Sequence, residues 1–132
     1  MFSRKKPLLI KTLIARGTSV QGDITFTDGL RIDGEVCGDV RADTEHSIVV
    51  ISESAKVRGA IVAAHAIVNG VVDGPVHVRE LLELQPRARV TGDVHYKALE
   101  MHQGAVIAGQ MCPAGDALTD DKPALKLAAA SG

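Results

Sequence analysis

The chain has 132 residues, room for one domain with short tails, and is 45% hydrophobic with only 2% aromatic residues. A core of that composition is filled by Val, Ile, Leu and Ala, which suits a narrow interior in which like residues pile above one another. The formal net charge of −1 argues against a bulk electrostatic partner such as nucleic acid.

The first segment stands apart from that balance. Residues 1–16 carry Arg4, Lys5, Lys6, Lys11 and Arg16 and no acid, so the remainder is net acidic. Phe2 beside Arg4, Lys5 and Lys6 reads as a peripheral anchor on an anionic membrane surface. The ring enters the interface and the cations lie over headgroups, each contributing about 1 kcal/mol. Pro7, Leu8, Leu9 and Ile10 are stopped by Lys11 with no small-residue cleavage site after it, and a spanning helix needs about 20 apolar residues. Neither a secretory signal nor a membrane span is therefore expected in 1–13, which reads as a flexible segment.

From residue 14 to 112 one signature recurs: an apolar residue, a spacer, a glycine, a spacer and a second apolar residue. The copies begin at Val20, Val36, Val57, Val72, Val90 and Ile107, at intervals of 16, 21, 15, 18 and 17 positions. One such signature per period of that length means a chain built by stacking. Each copy extends by alternation, as in Ile24-Thr25-Phe26 and Val94-His95-Tyr96, and a second short alternating strand follows, as in Leu30-Arg31-Ile32 and Leu82-Glu83-Leu84. Asp33-Gly34 and Asn69-Gly70 read as sharp corners with positive φ. Ala55, Ala88 and Ala105 read as small inward corner residues. Helical periodicity is absent. The reading is an all-β, single-stranded parallel β-helix of about six coils, right-handed because a left-handed hexapeptide solenoid needs an aliphatic residue every six positions. Residues 113–132 hold two prolines, three aspartates and an alanine run, too little to bury, and are expected to be a disordered tail.

The polar residues give little chemistry. Asp23, Asp39 and Asp93 follow the motif glycine and point outwards, which suits corner structure better than catalysis. His77 and His95 hold matching outward places in neighbouring coils, a surface ladder at about 4.8 Å spacing, with no third metal ligand evident. Cys37 and Cys112 are placed about four strand spacings apart, roughly 19 Å, too far for a disulfide and compatible with a reducing cytoplasm. No catalytic, cofactor or metal site is expected, and no glycine-rich loop followed by Lys and Ser or Thr offers a nucleotide site.

The runs Ile14-Ala15-Arg16-Gly17-Thr18-Ser19-Val20-Gln21-Gly22 and Ile32-Asp33-Gly34-Glu35-Val36-Cys37-Gly38-Asp39-Val40 resemble the bactofilins, a family of bacterial polymer-forming cytoskeletal proteins. The resemblance covers roughly residues 10–111. It implies a short right-handed β-helix that assembles end to end into filaments without nucleotide, often on the cytoplasmic face of the membrane. It also implies a scaffold that places cell-wall or envelope enzymes and shapes the cell. Where relatives often carry phenylalanine in the last coil, this chain has Val106-Ile107, which bears on the strength of one end contact.

Self-assembly also follows from the residues alone. The first and last coils of a β-helix expose unpaired backbone groups and an apolar cross-section, which another copy can cover. The expected interface is Ile14, Val20 and Ile24 at one end and Leu99, Met101, Val106, Ile107 and Met111 at the other. The competing reading is a trimeric β-helix enzyme, a metal-dependent hydratase or an acyltransferase, with His77 or His95 at a subunit boundary.

Overall fold

The recurring glycine is a corner. In the computed structural model, which describes residues 10–113, each motif contributes two short strands that meet at its glycine. The first coil is β1 (Thr12–Ile14), β2 (Ser19–Gln21) and β3 (Ile24–Phe26), and the second is β4 (Gly29–Ile32), β5 (Glu35–Cys37) and β6 (Val40–Ala42). The third takes β7 (Ile48–Ile51), β8 (Lys56–Arg58) and the start of β9 (Ile61–Val68), whose second half opens the fourth coil with β10 (Val71–Asp73). β11 (Val76–Leu84) closes the fourth coil and opens the fifth, which continues with β12 (Arg89–Thr91) and β13 (Val94–Tyr96). The sixth is β14 (Ala98–Met101), β15 (Val106–Ala108) and β16 (Met111–Pro113). The sequence suggested two strands per coil; there are three, because the alternation of Val-x-Gly-x-Val runs unbroken through a bend that only the backbone reveals.

All pairing is parallel, each coil lying in register on the last, so the strands form three ladders running the height of the stack. The first ladder holds β1, β4, β7, the second halves of β9 and β11, and β14. The second holds β2, β5, β8, β10, β12 and β15. The third holds β3, β6, the first halves of β9 and β11, β13 and β16.

Hydrogen-bond direction fixes the hand of the coil. When an L-residue in a strand is viewed with its side chain towards the observer and the chain ascending, its own N–H and C=O point right. The inward residues Ile24, Val40, Val76 and Val94 donate to Asp39, Ala60, Asp93 and Gln110 of the following coil at 2.8–2.9 Å. Seen from the axis, the next coil therefore lies to the right of an ascending strand, which makes the solenoid right-handed, as expected.

Close stacking explains the residues at the corners. A Cβ on Gly38 would overlap the carbonyl of Gly22, and one on Gly59 would overlap the carbonyl of Gly38. These glycines also adopt φ of 157° and 156°, so a column of glycine is required twice over. Gly34 and Gly70 correct the sequence reading, since neither has positive φ. Glycine is needed there because a Cβ would run into the carbonyls of Thr18 and Ser52. Asp23 Oδ1 accepts the N–H of Asp39 at 2.9 Å, Asp39 Oδ1 that of Ala60 at 3.0 Å, and Asp93 Oδ1 that of Gln110 at 3.0 Å. Between these, Pro75 stacks above Ala60, where the upper residue has no N–H and the lower no carboxylate. The aspartates are corner braces.

The interior is a set of aliphatic columns. Val36, Val57 and Val72 are fully buried, as are Val40, Ile61, Val76 and Val94, and Ile32, Ile51, Val68 and Leu84. Ala55 and Ala88 fill the tight corners as expected. The long interval before Val57 is a loop after β6 closed by Ser47, whose Oγ donates to Thr44 O and accepts from Ala64 N–H, both at 2.9 Å. Arg79 reaches back from the fourth coil to the carbonyls of Ala42 and Thr44 at 3.0 and 2.8 Å, clamping that loop.

Candidate functional site at the ends of the stack

Each interior column ends in a residue that is less covered than its neighbours. Val20 and Ile107 are half-buried at the two ends of the column whose middle members are fully buried, and Ile24 and Met111 are half-buried in the same way. Met101 is 41% exposed above a buried Leu84, and Leu99 is half-buried above a buried Leu82. Ile14 is nearly covered at the opposite end. The structure thus brings Ile14, Val20 and Ile24 together at the amino-terminal end, and Leu99, Met101, Ile107 and Met111 at the carboxy-terminal end.

Val106 does not join them. It lies on the outer side of β15, in register above Arg89 and Val71, and is 45% exposed to the side of the stack. Its neighbour Ile107 takes the inward place, because alternation allows one of two adjacent residues to face the axis. Phe26 is an addition at the amino-terminal end. It is half-buried, packs on the core and pairs with Ala42 of the next coil. The alternation Ile24-Thr25-Phe26 carries the signal that would have placed it there.

The backbone at the ends is directional too. Inward residues send their N–H and C=O towards the following coil, so those of Leu99, Met101, Ile107 and Met111 point out of the carboxy-terminal end. Pro113, the last described residue, has no N–H to add. Among the described residues no element lies over either end. Among the described residues each end therefore combines an apolar patch with a row of strand groups that have no partner, a surface suited to docking a second strand-edged surface and unsuited to water.

The other candidate groups stay apart from the ends or from one another. His77 and His95 stack on the outer side of the third ladder, with ring centroids 4.4 Å apart and planes 7° from parallel. Loss of water contact, and then the charge of His95, hold the His77 imidazolium below the usual histidine range. Asp33, whose carboxylate accepts from the Ser52 hydroxyl and from Arg31, is held below the usual carboxylate range by those two contacts. It braces the corner after β4. Cys112 lies within β16, in register with His95, while Cys37 lies on the second ladder; both are free thiols. Among the described residues no three His, Cys, Asp or Glu side chains are grouped to hold a metal, and no helix is long and apolar enough to cross a membrane. Phe2, Arg4, Lys5 and Lys6 lie outside the described residues, as do residues 114–132 of the tail expected from 113, whose first residue Pro113 ends β16.

A family model described as Bactofilin, polymer-forming cytoskeletal, matches residues 12–112, the whole span from β1 to within β16. No curated protein and no solved structure matches the chain.

Proposed function

The chain belongs to the bactofilin family of polymer-forming cytoskeletal proteins, and from that premise we propose that it assembles end to end into filaments without nucleotide, with the two uncovered ends of the coil as the contacts. The observation that carries this reading is the contrast along each column. Val36, Val57 and Val72 are sealed, while Val20 and Ile107 at the same inward position are not. Covering the terminal residues with another copy removes apolar area from water and pairs the open strand edges, so the driving force resides in the fold itself. Leu99, Met101, Ile107 and Met111 form the contact surface of one end and Ile14, Val20, Ile24 and Phe26 that of the other.

The filament is held at the inner face of the cell membrane by Phe2, Arg4, Lys5 and Lys6. One copy of this anchor binds weakly, and a filament that repeats it binds by avidity. In that position it serves as a non-enzymatic scaffold on which cell-wall or envelope enzymes are arranged. Assembly is tested by electron microscopy of nucleotide-free protein: filaments are expected, and only monomers or closed trimers over a wide concentration range would overturn the reading. The anchor is tested by co-sedimentation with anionic vesicles, where deleting residues 2–6 is expected to release filaments that still form. Equal binding with and without those residues would reduce the segment to a solvated tail.

A further inference from the structure

Of the three outer faces, one is unlike the others. The outer side of the second ladder alternates Glu35, Lys56, Val71 and Arg89 in one column and Cys37, Arg58, Asp73 and Thr91 in the next, a mixed polar surface. The third ladder shows Thr25, Arg41, Val62, His77, His95 and Cys112. The first ladder instead carries a contiguous apolar patch at mid-height. One outer column reads Leu13, Arg31, Val50, Ile67, Glu83 and Glu100 from the first coil to the sixth, and beside it run Gly29, Ile48, His65, Leu81 and Ala98. Val50, Ile67 and Leu81 are half-buried on this face, while Gly29 and Ile48 in the second column are already buried within the chain. The cation Arg31 lies below the patch and the acid Glu83 above it.

We propose that this face pairs two copies side by side with their coil axes antiparallel. A two-fold axis along the strand direction, passing between the third and fourth coils, sends each coil to its complement: second to fifth, third to fourth. Val50 then meets Ile67 of the other copy, and Arg31 faces Glu83. A parallel pairing would instead set Arg31 against Arg31 and Glu83 against Glu83, which costs free energy. Local contacts leave this pairing open among the described residues. Arg31 uses its Nε on Asp33 at 2.9 Å, leaving its Nη groups to reach outwards. Glu83 engages Gln85 and His102 through Oε2 at 3.3 and 3.1 Å, leaving Oε1. The outermost pair, Leu13 against Glu100, adds nothing to the match.

Size decides when the pairing forms. Six coils at about 4.8 Å and strands of four residues at about 3.3 Å give a face of roughly 29 by 13 Å, near 400 Å². A stable interface buries roughly 800 Å² on each partner. Single protomers therefore stay apart, and filaments pair because every added copy contributes another contact. The inference rests on the filament reading above.

The experiment is electron microscopy of the full chain, with filament width and axial repeat read together. Wild-type filaments are expected in side-by-side pairs. Val50→Asp and Arg31→Glu are each expected to give single filaments with an unchanged axial repeat. A per-copy weakening of only about tenfold, or 1.4 kcal/mol, compounds along the filament. Combining Arg31→Glu with Glu83→Arg restores the complementary charges in the antiparallel arrangement and is expected to restore pairs. Wild-type filaments that are single from the outset overturn the pairing and leave end-to-end assembly standing, whereas absence of filaments overturns both. Val50→Asp filaments that remain paired, or a double variant that stays single, also overturn it. So does a Val50→Asp variant of unchanged width that binds vesicles less well, since the face would then belong to the membrane.

Discussion

Replacing Ile107 with arginine separates folding from assembly. Ile107 faces the axis in the last coil but is only half-buried, because among the described residues no further coil lies above it as one lies above the other members of its column. In the monomer the arginine stem can lie along the core while its guanidinium bends out of the open end. In the filament that exit is closed. Burying a charge without a partner costs about 3–5 kcal/mol, and at 1.4 kcal/mol per decade the critical concentration rises by about two to three and a half orders of magnitude. Val57→Arg is the control, since Val57 is fully buried in the middle of the same column and has no exit. Ile107→Arg is expected to keep a strand-type circular dichroism spectrum and a cooperative melt while sedimenting as nothing larger than a dimer joined through the amino-terminal end, and Val57→Arg is expected to unfold. Wild-type-like filaments from folded Ile107→Arg would remove the carboxy-terminal end from the contact. Loss of fold in Ile107→Arg would mean that the last coil is an integral part of the core.

The glycine column predicts a gradient: Gly59→Ala meets both an unfavourable φ of 156° and the Gly38 carbonyl, while Gly22→Ala at φ 127° meets no atom within 4 Å. Thermal denaturation of non-assembling protein should therefore show Gly59→Ala less stable by a further ~1–3 kcal/mol of overpacking, and equal losses would contradict the stacking argument. Ser47→Ala leaves the Ala64 N–H unpaired in a buried place, so a loss of about 1–3 kcal/mol is expected in urea unfolding, and a neutral result would mean that the loop after β6 readjusts. His77 is held below the usual histidine range, so the unfolded chain binds its proton more readily than the folded one. Its contribution to stability is present above about pH 6.5 and is lost as pH falls towards the folded value. His77→Gln is expected to flatten that limb of the stability curve, and an unchanged limb would assign the acid sensitivity elsewhere.

The solenoid was legible because one physical requirement repeats. Val20, Val36, Val57, Val72, Val90 and Ile107 must all face the axis at the same height in each coil, and a glycine two residues later must let the coils touch. Residues that serve one coil alone were harder to place. Ile48-Val49-Val50-Ile51 is apolar throughout, so only its alignment with Leu30-Arg31-Ile32 in the repeat tells that Val49 and Ile51 face inwards while Val50 faces outwards; which outer residues adjoin across coils needed the strand register. The same ambiguity put Val106 beside Ile107 at the end. The corner at Asp33-Gly34 was recognised for the wrong reason, since the carbonyl of Thr18 beneath it is visible only once the coils are stacked.

Cryo-electron microscopy of nucleotide-free filaments tests the central claim most directly, through the axial rise per subunit. Six coils at about 4.8 Å each, placed in direct end contact, predict a rise of about 29 Å per subunit whichever ends meet, with Ile107 and Met101 of one end and Ile24 and Phe26 of the other all buried at junctions. A rise well above that value, or subunits joined through the sides of their coils with both ends left open, would contradict it.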